Sequence, residues 1–113
     1  MKLYTNELSK NEVDQLFIEY GKYTKITADI VDKKIVIGCV LHADAEPLLL
    51  ESGSITENIW GGGINFETKV IDTTAVFNLR PSLNNPSMEI IDSERRSKFI
   101  ELVSKFLKEL WTT

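Results

Sequence analysis

Side chains able to do chemistry concentrate in residues 41–46, where the chain's only histidine, His42, is followed by Asp44 and Glu46. In an extended chain these three side chains point to one face, a spacing that suits zinc or a hard metal ion. In a helix, His42 and Glu46 share a face and Asp44 leaves it. Imidazole and carboxylate can also serve as a general base and its orienting group. The three residues are candidate catalytic groups, and the structural alternative is that Asp44 caps a short helix while His42 closes a strand.

The second candidate site is the glycine triplet Gly61, Gly62 and Gly63, which follows Trp60. The triplet lacks the Gly-Lys-Ser/Thr ending of a P-loop and the spacing of a dinucleotide fingerprint, so it identifies no cofactor. Glycines permit positive φ and close backbone approach. They can present amides to an anion or bend a strand at a bulge, and Trp60 can stack on a ligand or form a core wall. We expect at least one glycine to have positive φ or to touch a neighbouring backbone.

The third candidate is Arg80, which follows a predicted strand and opens the turn-rich segment 80–87. Arginine there can clamp a carboxylate or phosphate, or form an ion pair within the protein. The remaining ligand-binding candidates lie just beyond it: Asn85, Ser87 and Glu89. Asparagine and serine also serve as turn formers. Because His42 and Arg80 each end a predicted strand, we expect them to meet around one polar depression.

Two helices are well signalled at the ends of the chain. Ser9 and Glu12 form a capping box, and Gly21 supplies a stop. Asp92 or Ser93 begins a longer C-terminal helix. Each helix has an apolar face with helical spacing, formed by Val13, Leu16, Phe17 and Tyr20 in the first and by Phe99, Ile100, Val103, Phe106, Leu107, Leu110 and Trp111 in the second.

Short strands are predicted between these helices. Residues 35–41 are apolar on both faces, which predicts a strand covered on both sides, with a bulge or a close neighbour at Gly38. Cys39 within it reads as an inert core residue. A short helix is predicted over 44–50, and because proline is tolerated only in the first helical turn, Pro47 predicts that it begins near Asp44 or Glu46. Further strands are predicted over 26–30, 55–60, 64–66, 70–71 and 75–79, with the glycines as an interruption. The pattern predicts an α+β fold for residues 1–113 as one domain, with a single largely antiparallel sheet and an N-terminal and a long C-terminal helix packed on it.

The composition narrows the class of protein. The formal charge is −4 over 113 residues, and because nucleic-acid binding depends on Lys and Arg, we expect no nucleic-acid partner. No apolar run reaches the roughly 20 residues of a membrane span, and the N-terminus turns polar too early for a signal peptide. We therefore expect a cytoplasmic protein without membrane contact. A single cysteine excludes an internal disulfide and a cysteine-based zinc site.

Four motifs together resemble a known family. They are Leu-His-Ala-Asp-Ala-Glu at 41–46, Glu-Asn-Ile-Trp-Gly-Gly-Gly-Ile at 57–64, Asn-Leu-Arg-Pro at 78–81 and Asn-Pro-Ser-Met-Glu-Ile at 85–90. In this order they resemble a family of small prokaryotic proteins known only as a domain of unknown function. The resemblance implies a stand-alone bacterial or archaeal protein, and it supplies no activity, ligand or catalytic residue.

Three hypotheses for function follow from the residues. The first is a binding module for a small polar or anionic ligand. Its pocket would be formed by His42, Asp44, Trp60, the glycines and Arg80. The second is a small metal-dependent or acid–base hydrolase that uses His42, Asp44 and Glu46. The third is a protein-interaction or regulatory partner that uses a sheet edge or helix face, and a homo-oligomer is compatible with all three.

Overall fold

One antiparallel sheet organises the fold of residues 1–112, which the computed structural model describes. Its strands are β1 (Lys2–Tyr4), β2 (Tyr23–Asp29), β3 (Lys34–Cys39), β4 (Ile59–Asn65) and β5 (Val70–Asp72). The order across the sheet is β1-β3-β2-β4-β5, and every neighbouring pair is antiparallel. Three helices complete the fold: α1 (Lys10–Tyr20), α2 (His42–Glu51) and α3 (Ser93–Phe106). The predicted α+β class is confirmed.

The capping signals positioned both long helices correctly. Ser9 accepts a hydrogen bond from the Glu12 amide, and the Glu12 carboxylate accepts one from the Ser9 amide. Gly21 follows the last turn of α1 with φ 73°. Asp92 caps α3 by accepting from the Arg95 amide at 2.9 Å. These local bonds satisfy amides that lack a partner inside the helix, which explains why the sequence alone revealed them.

The helices cover the two faces of the sheet unequally. α1 and α3 bury the larger core, which includes Trp60, Phe99 and Leu107, all at 0% exposure. α2 covers a smaller core that includes Val36 and Leu49. Side chains alternate between the faces along each strand. Trp60 therefore faces α3, whereas the next residue along β4 faces α2.

Two strand predictions were wrong near the glycines. β4 runs unbroken through Gly61, Gly62 and Gly63, because a backbone without side chains pairs with β2 as well as any other. The segment 75–79 is not a strand, since Val76–Asn78 forms a 3-10 turn. Arg80 therefore follows a turn rather than a strand.

The β3–α2 junction also differs from expectation. β3 ends at Cys39, and Val40 and Leu41 lie outside it with 79% and 58% exposure. α2 begins at His42 rather than at residue 44, and it contains Pro47 beyond its first turn. The proline removes one helical hydrogen bond. The helix persists because Ala45 and Leu49 are completely buried against the sheet.

The β2–β3 and β4–β5 hairpins share one turn geometry. The side-chain oxygen of Asp29 accepts two hydrogen bonds from the amides of its turn, and the side-chain oxygen of Asn65 does the same. Each turn reaches a lysine in the left-handed region, Lys33 with φ 59° and Lys69 with φ 62°. The two lysines are therefore matched in backbone conformation.

Candidate functional site

His42 lies between α2 and the glycines of β4. Its side chain is 7% exposed, and Nε2 is 2.8 Å from the carbonyl oxygen of Gly62. The ring lies against Gly61, where an added Cβ would come within 2.7 Å of the ring atom Cδ2. A carbonyl oxygen only accepts, so the neutral ring carries its proton on Nε2. Nδ1 makes no hydrogen bond to any residue in 1–112 and remains an acceptor.

Three polar residues share this face of the sheet with His42. Tyr23 places its ring over Gly63, where an added Cβ would overlap the phenol, and donates from Oη to Asp72 at 2.8 Å. Lys25 and Asp72 both pair with Gly63 in the strand register. Directly paired residues project to the same face of a sheet. We call Tyr23, Lys25, His42 and Asp72 the His42 cluster.

Lys25 is the unpaired charge of this cluster. Its side chain is half-buried, and among the interactions of residues 1–112 its ammonium group has neither an ion pair nor a hydrogen bond. The carboxylate of Asp72, in contrast, accepts from Tyr23 and from the Thr74 amide. An ammonium group that has no partner within the protein attracts an anion.

The surroundings keep the two ring systems of the cluster neutral near pH 7. Burial lowers the pKa of His42 below its ordinary value of 6.5, and the charge of Lys25 lowers it further; the hydrogen bond to Gly62 and the charge of Asp72 oppose this. Burial raises the pKa of Tyr23 well above its ordinary value, and the hydrogen bond to Asp72 adds to the rise. At neutral pH the cluster therefore presents an imidazole lone pair beside an ammonium charge.

Asp44 and Glu46 do not join His42 in a metal site. α2 begins at His42, so residues 42–46 are helical rather than extended. In a helix the side chain of Asp44 lies on a different face from that of His42. Asp44 is exposed, and Glu46 is close enough to Arg80 that its charge raises the pKa of that guanidinium, against the larger lowering caused by burial. Within residues 1–112 no group of three or more histidine, cysteine, aspartate or glutamate side chains is arranged to hold a metal ion.

Arg80 is bound to the backbone rather than presented to a ligand. Nη1 donates to the Thr56 carbonyl at 2.9 Å, and Nη2 donates to the Ile59 carbonyl. Its guanidinium lies 4.2 Å from the ring centre of Trp60, and Arg95 lies 4.7 Å from the same ring. Trp60 is completely buried. These two candidates meet each other in a cation–π contact on the α3 side of the sheet.

Asn78 was missed by the sequence reasoning, and it completes the edge of β4. Its side chain accepts from the Gly61 amide and donates to the Gly61 carbonyl, both at 2.8 Å. It also donates to the carbonyls of Thr73 and Met88. A side-chain amide thus occupies the place of a neighbouring strand where β5 has ended. The available signal was a polar residue inside the apolar run 75–79.

The remaining ligand-binding candidates hold one another in the loop that carries Asn78. Asn85 is completely buried, donates to the carbonyls of Asn78, Ser87 and Glu89, and accepts from the Ile91 amide. The Ser87 hydroxyl accepts from the Glu89 amide at 3.1 Å. The Glu89 carboxylate accepts from the hydroxyls of Thr73 and Thr74. These hydrogen bonds show that the Asn-Pro-Ser-Met-Glu motif holds the conformation of the loop.

The expected convergence of His42 and Arg80 is not formed. Across the described part of the chain, no hydrogen bond or ion pair joins His42, Asp44 or Glu46 to Arg80 or to the loop 84–89. His42 and Arg80 bind different carbonyls of β4 instead. The residues that do surround His42 went unnoticed, because only the pairing of β2, β4 and β5 brings them to one place.

Fold and cluster together define the class: an α+β protein whose antiparallel sheet carries a histidine, a lysine, a tyrosine and an aspartate beside a glycine-lined strand. Residues 2–106 match the profile of a family described as "Protein of unknown function (DUF5674)", and the chain belongs to that family. No curated protein and no solved structure shows significant similarity to the chain. Within residues 1–112 no helix has the length and apolarity needed to cross a membrane.

Proposed function

We propose that the protein binds a small anionic ligand, carrying a carboxylate or phosphate group, at the His42 cluster. The observation that carries this proposal is Lys25, a half-buried residue whose ammonium group is unpaired among residues 1–112 and whose charge acts on a neutral His42. An anion at Lys25 would supply the missing counter-charge. Charge-assisted hydrogen bonds of this kind are roughly twice as strong as neutral ones.

Ligand binding at this position is coupled to the protonation of His42. The positive charge of Lys25 now disfavours imidazolium. A bound anion reverses that effect and favours a proton on Nδ1, which turns the free acceptor into a second donor toward the ligand. Nε2 keeps its bond to Gly62 in both states, so the ring does not need to turn.

The glycines provide the space for this arrangement. Gly61 lets the imidazole pack closely against β4, and Gly63 does the same for the ring of Tyr23. Their contribution is steric, and the amide of Gly61 is already occupied by Asn78. The hydrolase alternative is less well supported, because α2 carries Asp44 away from the histidine that it would assist.

The test uses the histidine itself. Since the chain has one histidine, its Hε1 proton is a single reporter in the NMR spectrum. We expect inorganic phosphate or acetate, added at constant ionic strength, to raise the pKa of His42 by about one unit. Lys25→Met should abolish the response, Lys25→Arg should keep it, and Lys22→Met, an exposed control near the start of the same strand, should not change it.

Two results would contradict the proposal. One is a His42 pKa that neither anion moves in the wild-type protein. The other is an anion response that survives in Lys25→Met with its fold intact by circular dichroism.

A further inference from the structure

Helix α2 begins without the side-chain cap that both α1 and α3 have. Leu41 occupies the capping position, and its apolar side chain cannot accept a hydrogen bond. Among residues 1–112, the amides of His42 and Ala43 donate to no acceptor within the protein. Leu41 and Ala43 are exposed, so this end of the helix lies at the surface. Free amides and the partial positive charge at the start of a helix attract an anion.

The free nitrogen of His42 lies at the same end of α2. The residue is 7% exposed, yet Nδ1 forms no hydrogen bond among residues 1–112. Because Nδ1 is bonded to Cγ, it lies near the backbone of its own residue, whereas Nε2 on the far side of the ring contacts β4. An anion at the first turn of α2 is therefore within reach of a proton on Nδ1. Lys25 lies nearby, because only two residues separate its strand partner Cys39 from His42.

The charges around this position favour an anion with a single charge. Lys25 is cationic, whereas Asp44 in the first turn of α2 and Asp72 in the His42 cluster are anionic. Asp72 accepts from Tyr23 and from the Thr74 amide, and Asp44 is exposed. One ammonium group beside two carboxylates leaves no surplus of positive charge. A carboxylate ligand is therefore repelled less than a phosphate group with close to two charges, and its affinity needs a contribution that is not electrostatic.

Exposed apolar side chains near the start of α2 can supply that contribution. Val40 lies two residues before His42 and, at 79%, is the most exposed large apolar side chain in residues 1–112. A Cβ added at Gly61 would come within 2.7 Å of the His42 ring and 3.1 Å of the Ala75 side chain, so these two side chains are neighbours. Val76, which follows Ala75, is 73% exposed. Apolar ligand atoms that cover these valines gain affinity by removing them from water.

We propose that the ligand of the His42 cluster is a small monocarboxylic acid with a branched apolar group, bound at the first turn of α2. Its carboxylate accepts from the amides of His42 and Ala43 and pairs with Lys25. Its apolar group covers Val40 and Val76. This inference rests on the proposed anion site and narrows the ligand from small anions in general to one class of carboxylic acid. Small-molecule sites commonly combine a few polar groups that fix orientation with apolar contacts that supply affinity.

The test compares isovalerate with acetate and measures binding from the Hε1 shift of His42 at fixed pH and ionic strength. We expect isovalerate to bind about tenfold more tightly than acetate, because its additional carbon atoms cover apolar side chains. Inorganic phosphate should bind less tightly than isovalerate. Isovaleramide, which has the same apolar group without the charge, should not bind.

Two matched pairs of variants separate the apolar contact from the helix start. Val40→Ser should weaken isovalerate binding about fivefold and leave acetate binding unchanged. Val31→Ser, at an exposed position in the turn between β2 and β3, should change neither. Leu41→Asn adds a favourable capping residue, so it should remain folded but compete for the Ala43 amide and weaken the binding of both acids. Leu50→Asn, exposed near the end of α2, should leave both affinities unchanged.

The outcomes distinguish failure of this inference from failure of the proposed function. Acetate and isovalerate that bind with equal affinity would overturn the apolar ligand and leave the anion site intact. Isovaleramide that binds as tightly as isovalerate, or unchanged affinities in both Val40→Ser and Leu41→Asn, would also overturn it. Tighter binding of the peptide acetyl-Ser-Gly-Ser-Val would assign the position to a chain terminus instead of a small acid. No response of His42 to either acid would contradict both proposals.

Discussion

The Nε2 atom of His42 lies 2.8 Å from the carbonyl oxygen of Gly62, and this single contact fixes the tautomer of the chain's only histidine. The same contact joins the first residue of α2 to the middle of β4. It gives the imidazole one defined orientation and leaves Nδ1 without a hydrogen bond among residues 1–112. The protonation of this ring therefore reports on the packing between α2 and β4.

The first prediction concerns the titration of His42. Its pKa should lie below 6.5 in the ligand-free protein, because burial and the charge of Lys25 disfavour imidazolium. The folded state then binds protons less readily than the unfolded chain. The contribution of neutral His42 to the stability of the fold is complete above the pKa of the unfolded state. It is lost as the pH falls from there through the lower pKa of the folded state. Hε1 shifts measured against pH give the pKa directly.

The stability of the protein should show the same linkage. Denaturant unfolding between about pH 5 and pH 8 should give a free energy that falls on the acid side. His42→Gln should flatten this part of the curve. A pKa above 6.5, or a wild-type curve that rises as the pH is lowered, would contradict the prediction.

The second prediction concerns Asn78. Asn78→Asp keeps the acceptor for the Gly61 amide but removes the amide group that donates to the carbonyls of Gly61, Thr73 and Met88. The Thr73 and Met88 carbonyls keep backbone donors, but the new carboxylate is buried beside carbonyl oxygens that can only accept. Because such a buried charge costs more than the roughly 1–3 kcal/mol of a neutral unsatisfied group, we expect a loss of at least about 3 kcal/mol in the free energy of unfolding. Asn6→Asp, at an exposed position, should cost little. Similar melts for the two variants would show that Asn78 does not support the sheet edge.

The third prediction concerns Gly62. None of the three glycines in β4 has positive φ, but the expected close approach exists, because a Cβ at Gly62 would overlap the carbonyl oxygen of Asp72 and come within 2.8 Å of the Phe99 ring. Gly62→Ala should therefore cost about 2–3 kcal/mol through overpacking. Gly53→Ala, at φ 103° with open space around it, tests conformational strain alone and should cost about 1 kcal/mol. A Gly62 variant as stable as wild type would remove the steric explanation.

The fourth prediction concerns the packing of the C-terminal helix. Leu107 directly follows α3 and is 0% exposed, whereas Ile100 on α3 is 37% exposed. Leu107→Ala should lower the free energy of unfolding by about 2–5 kcal/mol because it leaves a cavity. Ile100→Ala should cost less than half as much. Equal losses would mean that the two sites are packed alike.

The sequence predicted those parts of the fold that depend on neighbouring residues. The capping box at Ser9 and the cap at Asp92 act within one turn, so the helices they begin could be read directly. The bulge or close neighbour expected at Gly38 is present as a register shift beside φ 93° and contact with Tyr20. Cys39 is buried, as expected of a core residue.

The site was less predictable because it depends on contacts between distant segments. Lys25 reaches His42 only through the pairing of β2 with β4, which local sequence does not encode. The sequence predicts an interruption at the glycines because strand propensity is carried by side chains, whereas strand pairing is carried by the backbone. Arg80 and Asn85 carry donor groups of the kind that bind ligands, but in this fold they donate hydrogen bonds to backbone carbonyls of the protein itself.

The arrangement of the sheet edges has a consequence for behaviour at high concentration. β1 and β5 are three residues long, and Asn78 and Arg80 occupy the side of β4 that β5 leaves uncovered. An exposed backbone edge is a template for fibril growth. This protein leaves little such template, so it should stay dispersed in concentrated solution. Removing the Asn78 amide would uncover a glycine-rich strand edge. Aggregation should then be the first detectable effect of the substitution.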